Sequence, residues 1–568
     1  MKSNYKLLLL LLLLSGCKSA KELNFLSENS LDKKENTKEA LQFWYQKDYK
    51  QDGIPGISID KWYSQNPKKQ KNKSVIVAVI DTQIDRIHED LQGNIWINPK
   101  EIANNGIDDD HNGYIDDTNG WNFTGTKNGG YIVWGNFEYV RFVRMWDPLF
   151  KDKTENEIAV KDLPNYKQYL RAVKILEEKT IYYKNLLKIT KHCMATYSLA
   201  KDSLKHYFPK EDYTYQQLDS MYKKHKINNK TFGQRSDDND TDLGSLIDGM
   251  MVNFEVNQKS FDVIKENEAQ SDSIINKNLN INFNERISIG DNPNLLEKSY
   301  GNNNISINKE GYRNIQEHCT KVSGIIAADR ENNKGIKGIA DNVKIMPLSI
   351  SFSGDEHDKD IAMAIRYAVD NGAKVINMSF GKEFSVRKEW VFEAFKYAQE
   401  HDVLLVHCSG NNGFNVDENP YYPSDNIFDG SKEVCGNFIN VGSISSKLDS
   451  TFVSTFSNYG KQNVDLFAPG DEIYTTSAGN TYVSDSGTSL AGPMVSGTAA
   501  LIWSYYPKLT VTEVKQIILD SGTAYDLEVL VPGSKDKKVP FSELSKSGKV
   551  LNVYNAMKLA EKVSKQKS

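Results

Sequence analysis

The chain has 568 residues, 26% of them charged, and a formal net charge of −5 from 70 basic and 75 acidic side chains. That length allows several domains, and the well-mixed, mildly acidic balance offers no basic surface for nucleic acid. Five scattered cysteines without a C-x-x-C pair indicate neither a zinc site nor a disulfide framework. Taken in order, Lys2 and Lys6 precede an unbroken leucine run over 7–14, then Ser15-Gly16-Cys17. The run is too short to cross a bilayer and has the layout of a secretory signal. Residues 18–40 are polar, as a flexible tether would be. The stretch 44–62, with Gly53-Ile54-Pro55-Gly56 as a turn, is expected to pack on the first domain.

Residues 75–80 are six apolar side chains in a row, mostly β-branched, which predicts a strand covered on both faces. Asp81 ends it, where open α/β sheets collect functional groups. Farther on, Asp108, Asp110, Asn112 and Asp116 follow the 1, 3, 5, 9 spacing of a calcium loop, with Gly113 sixth and the Tyr114 carbonyl seventh. Position 12 is Asn119 rather than Glu, so this is no EF-hand. The loop holds either a structural calcium or an acidic turn without metal.

From 126 to 279 the composition shifts to Lys, Glu, Asn and Tyr with little Gly. Pro164 opens a long helix in which Tyr169, Leu176, Tyr183, Thr190, Tyr197 and Leu204 recur every seven residues, with Val173, Leu187 and Met194 between them. Further helices are expected at 215–225 and 243–275. This is an inserted helical hairpin or small bundle, serving as a lid, as a docking arm for a protein partner, or as self-packed structure alone. His192 and His206 read as polar surface residues.

Beyond 281 strands and helices alternate: a helix from His318, strands at 343–351, 375–379, 403–407, 438–443 and 464–468, and helices at 358–371 and 390–400. That alternation predicts an α/β fold with a doubly covered, mostly parallel sheet. Near the end, Gly487-Thr488-Ser489 precedes a run of small and large apolar residues that reads as a buried helix. A serine at a helix start is either an N-cap or a nucleophile, and a nucleophile needs a base, an acid and an oxyanion donor. Asp81, His318 and Asn411 stand at strand ends or helix starts to supply them.

The order Asp, His, Ser and the local motifs resemble the subtilisin-like serine proteases. Val77-Ala78-Val79-Ile80-Asp81-Thr82 is similar to the family's Asp motif, and His318-Cys319-Thr320-Lys321-Val322-Ser323-Gly324 to its His motif. Ser409-Gly410-Asn411-Asn412-Gly413 is similar to the oxyanion motif, and Gly487-Thr488-Ser489-Leu490-Ala491-Gly492-Pro493 to the Ser motif. The resemblance implies a three-layer subtilisin-like domain over 74–125 and 280–562, with 126–279 inserted between the catalytic Asp and His. It implies a serine endopeptidase with Ser489 as nucleophile, His318 as general base, Asp81 as orienter and Asn411 in the oxyanion hole. The alternative is an inactive subtilase body used as a binding scaffold.

Ser379, Phe380, Gly381 and Gly410 fall where the family lines its substrate cleft, with an apolar or medium-sized residue expected before the scissile bond. No catalytic metal is expected. Three residues depart from the usual motifs without removing a catalytic group: Gln83 for Gly, Cys319 for Gly, and Lys321 for the second histidine. Cys319 beside His318 suggests inhibition by bulky thiol reagents, and Leu490 replaces an oxidisable Met. Leu14-Ser15-Gly16-Cys17 resembles a bacterial lipobox, which implies signal removal at 1–17, lipidation of Cys17, and a tether and extension over 18–73. The other reading is a cleaved signal with an incidental cysteine. Lys18, not Asp, implies the outer membrane in a Gram-negative host, facing the periplasm or the surface. The style of the acidic loop and of Gly120-Trp121-Asn122-Phe123 is similar to lipoprotein subtilases of Bacteroidetes. Residues 17–72 look too short and loop-like for a globular propeptide.

Overall fold

The computed structural model describes residues 42–66, 74–255, 260–307, 313–427 and 433–567. The leucine run, Cys17 and the tether over 18–40 lie outside the described residues. The chain forms two compact units, one from the residues up to Val133 with those from Arg286 on, the other Trp134–Glu285.

The first unit is built on a nine-stranded sheet. Its strands are β1 (Val75–Asp81), β2 (Trp121–Asn122), β3 (Val343–Ser349), β4 (Val375–Met378), β5 (Leu404–Cys408), β6 (Phe438–Ile444) and β7 (Leu466–Pro469), completed at one edge by two short strands, Thr523–Ala524 and Lys549–Val550. From that edge, the order continues β7-β6-β5-β4-β1-β3-β2, and every pair is parallel except the outermost two-residue one. The apolar run of β1 divides by the period of two that a pleated strand imposes. Val75, Val77 and Val79 enter one buried cluster; Ala78 and Ile80 enter the other. β3 divides likewise, with Val343 and Ile345 on one side and Met346 and Leu348 on the other.

Helices cover both faces, as a sheet buried on two sides requires. α1 (His318–Ala327) and α4 (Thr488–Tyr505) lie on the first face; α2 (Asp358–Asp370) and α3 (Lys388–Glu400) lie on the second. The predicted strands and helices of this unit are present, with ends shifted by a few residues. Strand order reverses around β1, because the chain crosses from β3 on one side of it to β4 on the other. Such a reversal opens a crevice at the carboxyl ends of the strands, and Asp81 stands there. Residues 42–66 are more than an extension laid on a domain. Trp44, Tyr45, Ile57, Ile59 and Trp62 are part of the main core, beside residues of α4.

The second unit is helical. The helix Leu163–Lys205 runs 43 residues with Pro164 in its first turn, and Tyr215–His225 matches the predicted span. The predicted 243–275 helix is two, Leu243–Glu255 and Phe261–Ser273. The heptad seam is not continuous. Tyr166 and Tyr169 pack on Phe150 near one end, and Ala200 and Leu204 meet Leu218, Met221, Ile247 and Met250 near the other. Leu176 and Tyr183, between those ends, are only half-buried. The periodicity marks an apolar stripe but does not say how much of it has a partner. His192, read as a surface residue, is buried against Phe232, and burial lowers its pKa.

The unit's limits also differ from the compositional ones. Gly125 bridges Tyr131, and Asn302 donates to the carbonyls of Thr126 and Gly130, so the stretch after β2 is hydrogen-bonded into the first unit. Glu285 pairs with Arg141 and so belongs to the second. Composition reports the style of a segment; hydrogen bonds decide where it belongs.

Candidate active site

Asp81 and His318 are brought together by the pairing of β1 with the start of α1. His318 Nδ1 lies 2.9 Å from both carboxylate oxygens of Asp81 and donates to them. The carboxylate is itself fixed, since the N–H of Thr82 donates to Oδ1 at 2.7 Å. Thr82 Oγ1 then donates to the carbonyl of Gln316 and accepts from the N–H of Cys319, holding the first turn of α1 on both sides of the histidine. Burial alone would lower the His318 pKa; the Asp81 charge and hydrogen bond outweigh it and hold the imidazole above its ordinary value.

Ser489 stands in the first turn of α4. Gly487 before it has φ 165°, an extended backbone that any residue adopts. A side chain there would instead crowd the site. A Cβ would fall 2.9 Å from Ser489 Oγ and 3.6 Å from Asn411 Nδ2, so the hydroxyl and the amide border the same small volume. The Asn411 amide is oriented by Thr488, whose N–H and hydroxyl both donate to its Oδ1 at 2.9 Å. With the oxygen occupied, Nδ2 is the group left facing that volume.

Pro493 has no N–H to give to the carbonyl four residues back, which is that of Ser489. Ser379 Oγ, just past β4, supplies the missing bond at 2.9 Å, and Asn377 Nδ2 donates in turn to Ser379 Oγ. The proline in the motif thus frees an acceptor that ties the Ser489 turn to the end of a neighbouring strand. The structure therefore brings Asp81 to His318, and Asn411, Ser489 and Ser379 to one another, at the carboxyl end of the sheet. Gly381 and Gly410 both lie against the ring of Tyr421, and the Phe380 carbonyl accepts from His407 Nε2 at 2.8 Å.

Two further residues hold the site in ways the motifs did not assign. Thr488 orients Asn411. Lys321, only 3% exposed, has its ammonium 2.8 Å from Glu317 and 3.0 Å from Asp485. It joins the residue before the histidine to the last residue of the strand Thr481–Asp485, just ahead of the serine turn. The unexpected lysine in the His motif was the signal, but nothing nearby in sequence names its partners. Cys319 is completely buried, and burial drives its thiol well above the ordinary range. The expectation of inhibition through this cysteine is not supported, because a bulky reagent has no path to an un-ionised, enclosed thiol.

The pattern that defines the subtilase family matches residues 72–544. This chain belongs to the subtilase family. It is 38% identical over 191 residues to a thermophilic serine proteinase of Bacillus sp. (strain AK1), covering 34% of this chain and 43% of that one. It is 34% identical over 213 residues to thermitase of Thermoactinomyces vulgaris, covering 37% of this chain and 70% of thermitase. The chain thus spans less than half of the first relative. Among solved structures, the prenylagaramide maturation protease PagA is similar over 43% of this chain and 82% of that one, with 26% identity and a TM-score of 0.34. The α/β fold with its mostly parallel sheet is the one expected of the family.

The acidic loop of this subtilase is arranged differently from its sequence spacing. One carboxylate oxygen from each of Glu101, Asp108 and Asp110 lies within 4.8 Å of the other two. Glu101 comes from outside the spaced motif. Asp116 is not in that group; its two oxygens accept the N–H groups of Asn105 and Gly106, both at 3.0 Å, as those of Asp108 accept the N–H groups of Asn112 and Gly113. Asn112 Oδ1 accepts from the N–H of Tyr114, and the neighbouring Asp117 gathers Asn98, Asn112 and Tyr367.

Proposed function

We propose that this subtilase is a serine endopeptidase. One observation carries the reading: the Asp81–His318 pair and the Ser489–Asn411 pair are assembled from four distant segments at the carboxyl edge of one sheet. Ser489 Oγ attacks the peptide carbonyl while His318 takes its proton, and His318 returns a proton to the leaving amine. Asp81 holds the tautomer with hydrogen on Nδ1 and stabilises the imidazolium. Asn411 Nδ2 and the Ser489 N–H donate to the developing oxyanion. The substrate lies along Ser379, Phe380, Gly381 and Gly410. A fluorophosphonate probe should label Ser489, and Ser489→Ala should abolish both labelling and casein hydrolysis. Folded protein that takes no label would instead be the inactive scaffold.

Calcium is proposed as a structural ligand of the acidic loop, held by Glu101, Asp108 and Asp110 with Asn112 and the Tyr114 carbonyl nearby in sequence. The fit rests on two features. Glu101 is only 9% exposed and its Oε2 accepts no hydrogen bond. Among the described residues, no Lys, Arg or His forms an ion pair with any of the three carboxylates. A hard dication supplies the missing charge and takes oxygen ligands of this kind.

Anchoring through lipidated Cys17 to the bacterial envelope, in the manner of Bacteroidetes lipoprotein subtilases, is proposed from the leucine run and the Leu14-Ser15-Gly16-Cys17 motif. No helix among the described residues is long and apolar enough to cross a membrane. The lipid adduct should appear on Cys17 by mass spectrometry. The helical unit is proposed as a lid or a docking arm for a protein partner. Removing it should change the ratio of activities on folded and unfolded substrates.

A further inference from the structure

The acyl-enzyme geometry fixes where the substrate side chain before the scissile bond must go. With the carbonyl carbon bonded to Ser489 Oγ and its oxygen toward Asn411 Nδ2, the adjoining Cα and its side chain enter the space beside those two groups. Two backbone segments reach that space. Residues 379–381 leave β4 and are tied to the Ser489 carbonyl by Ser379 Oγ. Residues 409–411 leave β5, the neighbouring parallel strand, and end in the oxyanion donor.

Each segment carries a glycine, and the two glycines meet one ring. A Cβ on Gly381 would fall 2.3 Å from Tyr421 Cε1 and 2.8 Å from its Cζ. A Cβ on Gly410, whose φ is +100°, would fall 2.6 Å and 2.7 Å from the same two atoms, and 2.4 Å from Asn458 Nδ2. The Cε1–Cζ edge of Tyr421 therefore takes the room a side chain on either glycine would need, and lies between the two segments. The ring is held there by its own chain. The N–H of Tyr422 donates to the carbonyl of Lys382 at 2.7 Å, and the N–H of Lys382 donates back at 2.8 Å, clamping the segment beside Gly381. Lys382 is in turn buried and paired with Asp358 at 2.8 Å.

We propose that Tyr421 is the specificity-determining residue of this cleft, filling the space that would take a large side chain, so that the substrates are polypeptides cut after small residues such as glycine, alanine or serine. The proposal rests on the endopeptidase reading above and narrows it. A large apolar side chain would have to displace a ring packed on two glycines, whereas a methyl or a hydrogen need not. Discrimination by a hydrophobic pocket is worth about 10–200-fold per missing or extra methylene.

The test uses the full chain and peptide anilides that differ only in the residue before the cleaved bond. The wild type should cleave after alanine with kcat/KM at least about tenfold above phenylalanine, and Tyr421→Ala should move that ratio at least about tenfold toward phenylalanine. A wild type that cuts after phenylalanine or leucine as well as after alanine overturns the proposal, as does a ratio unmoved in Tyr421→Ala. Cleavage-site profiling of the wild type on a denatured protein mixture decides the same question if the variant fails to fold. Small residues before the cut sites support the assignment, and large ones overturn it. Fluorophosphonate labelling separates the two levels. Labelled enzyme with the wrong preference sinks this inference alone, and folded enzyme without label sinks the endopeptidase reading beneath it.

Discussion

At the scale of single residues, the site separates groups that react from groups that hold them. In the proposed mechanism Asn411 donates to the oxyanion only as charge develops, so Asn411→Ala should cost about 10²–10³ in kcat with little change in KM, the loss that removing such a donor brings in subtilisin. His318 must be neutral to accept a proton, and its pKa is raised above the ordinary 6.5. The acid limb of kcat/KM should therefore lie above 6.5, activity falling as pH drops through it. Lys321 presses that value down, since its ammonium opposes a second charge nearby, while Asp485 pushes it up. Lys321→Met should move the acid limb to higher pH and, by stranding two carboxylates, destabilise the fold by about 3–5 kcal/mol. Lys321→Arg should restore the limb if the charge is what matters. The four described cysteines are free and buried. A disulfide reagent should find Cys319 only after denaturant is added, and activity should survive prolonged treatment of the native enzyme.

At the scale of elements, sequence patterns located the strands that carry chemistry and were weakest where pairing is nonlocal. β1 and the α4 run were legible because their apolar periods are strong and their ends carry Asp81 and Ser489. The role of Pro493 was not, because the Ser379 hydroxyl that takes up the freed Ser489 carbonyl lies 110 residues from Ser489 and becomes visible only once β4 stands beside α4. The acidic loop teaches the same lesson. Its spacing singled out Asp108 and Asp110, but Glu101 enters from the preceding turn and Asp116 lies outside the group of three carboxylates. Calcium at about a hundred times its Kd should stabilise the enzyme by about 2.7 kcal/mol, read as a higher Tm in calcium than in EGTA. Glu101→Gln should remove most of that difference, and Asp116→Asn should leave calcium affinity nearly intact while lowering Tm in both buffers.

At the scale of the whole molecule, the family and the layered sheet were readable from four spaced motifs, whereas the limits of the helical unit and the buried place of residues 42–66 were not. Motifs report chemistry; the assignment of a stretch to one core or another depends on contacts made across hundreds of residues. The order of segments also has a consequence for how the protein is made. The neighbours of β1 in the sheet are β3 and β4, and both are encoded after the helical unit. Ribosomes add roughly 5–20 residues per second, so in co-translational folding the apolar run 75–80 waits roughly 13–50 seconds for β3 to emerge. A strand destined for burial on both faces is then a site for misassembly. The same delay is protective in another sense, because the last catalytic segment to be synthesised is the one that carries Ser489. The proposed catalytic set is therefore incomplete until β1, the helical unit and the segments that carry His318, Asn411 and Ser489 have all been made.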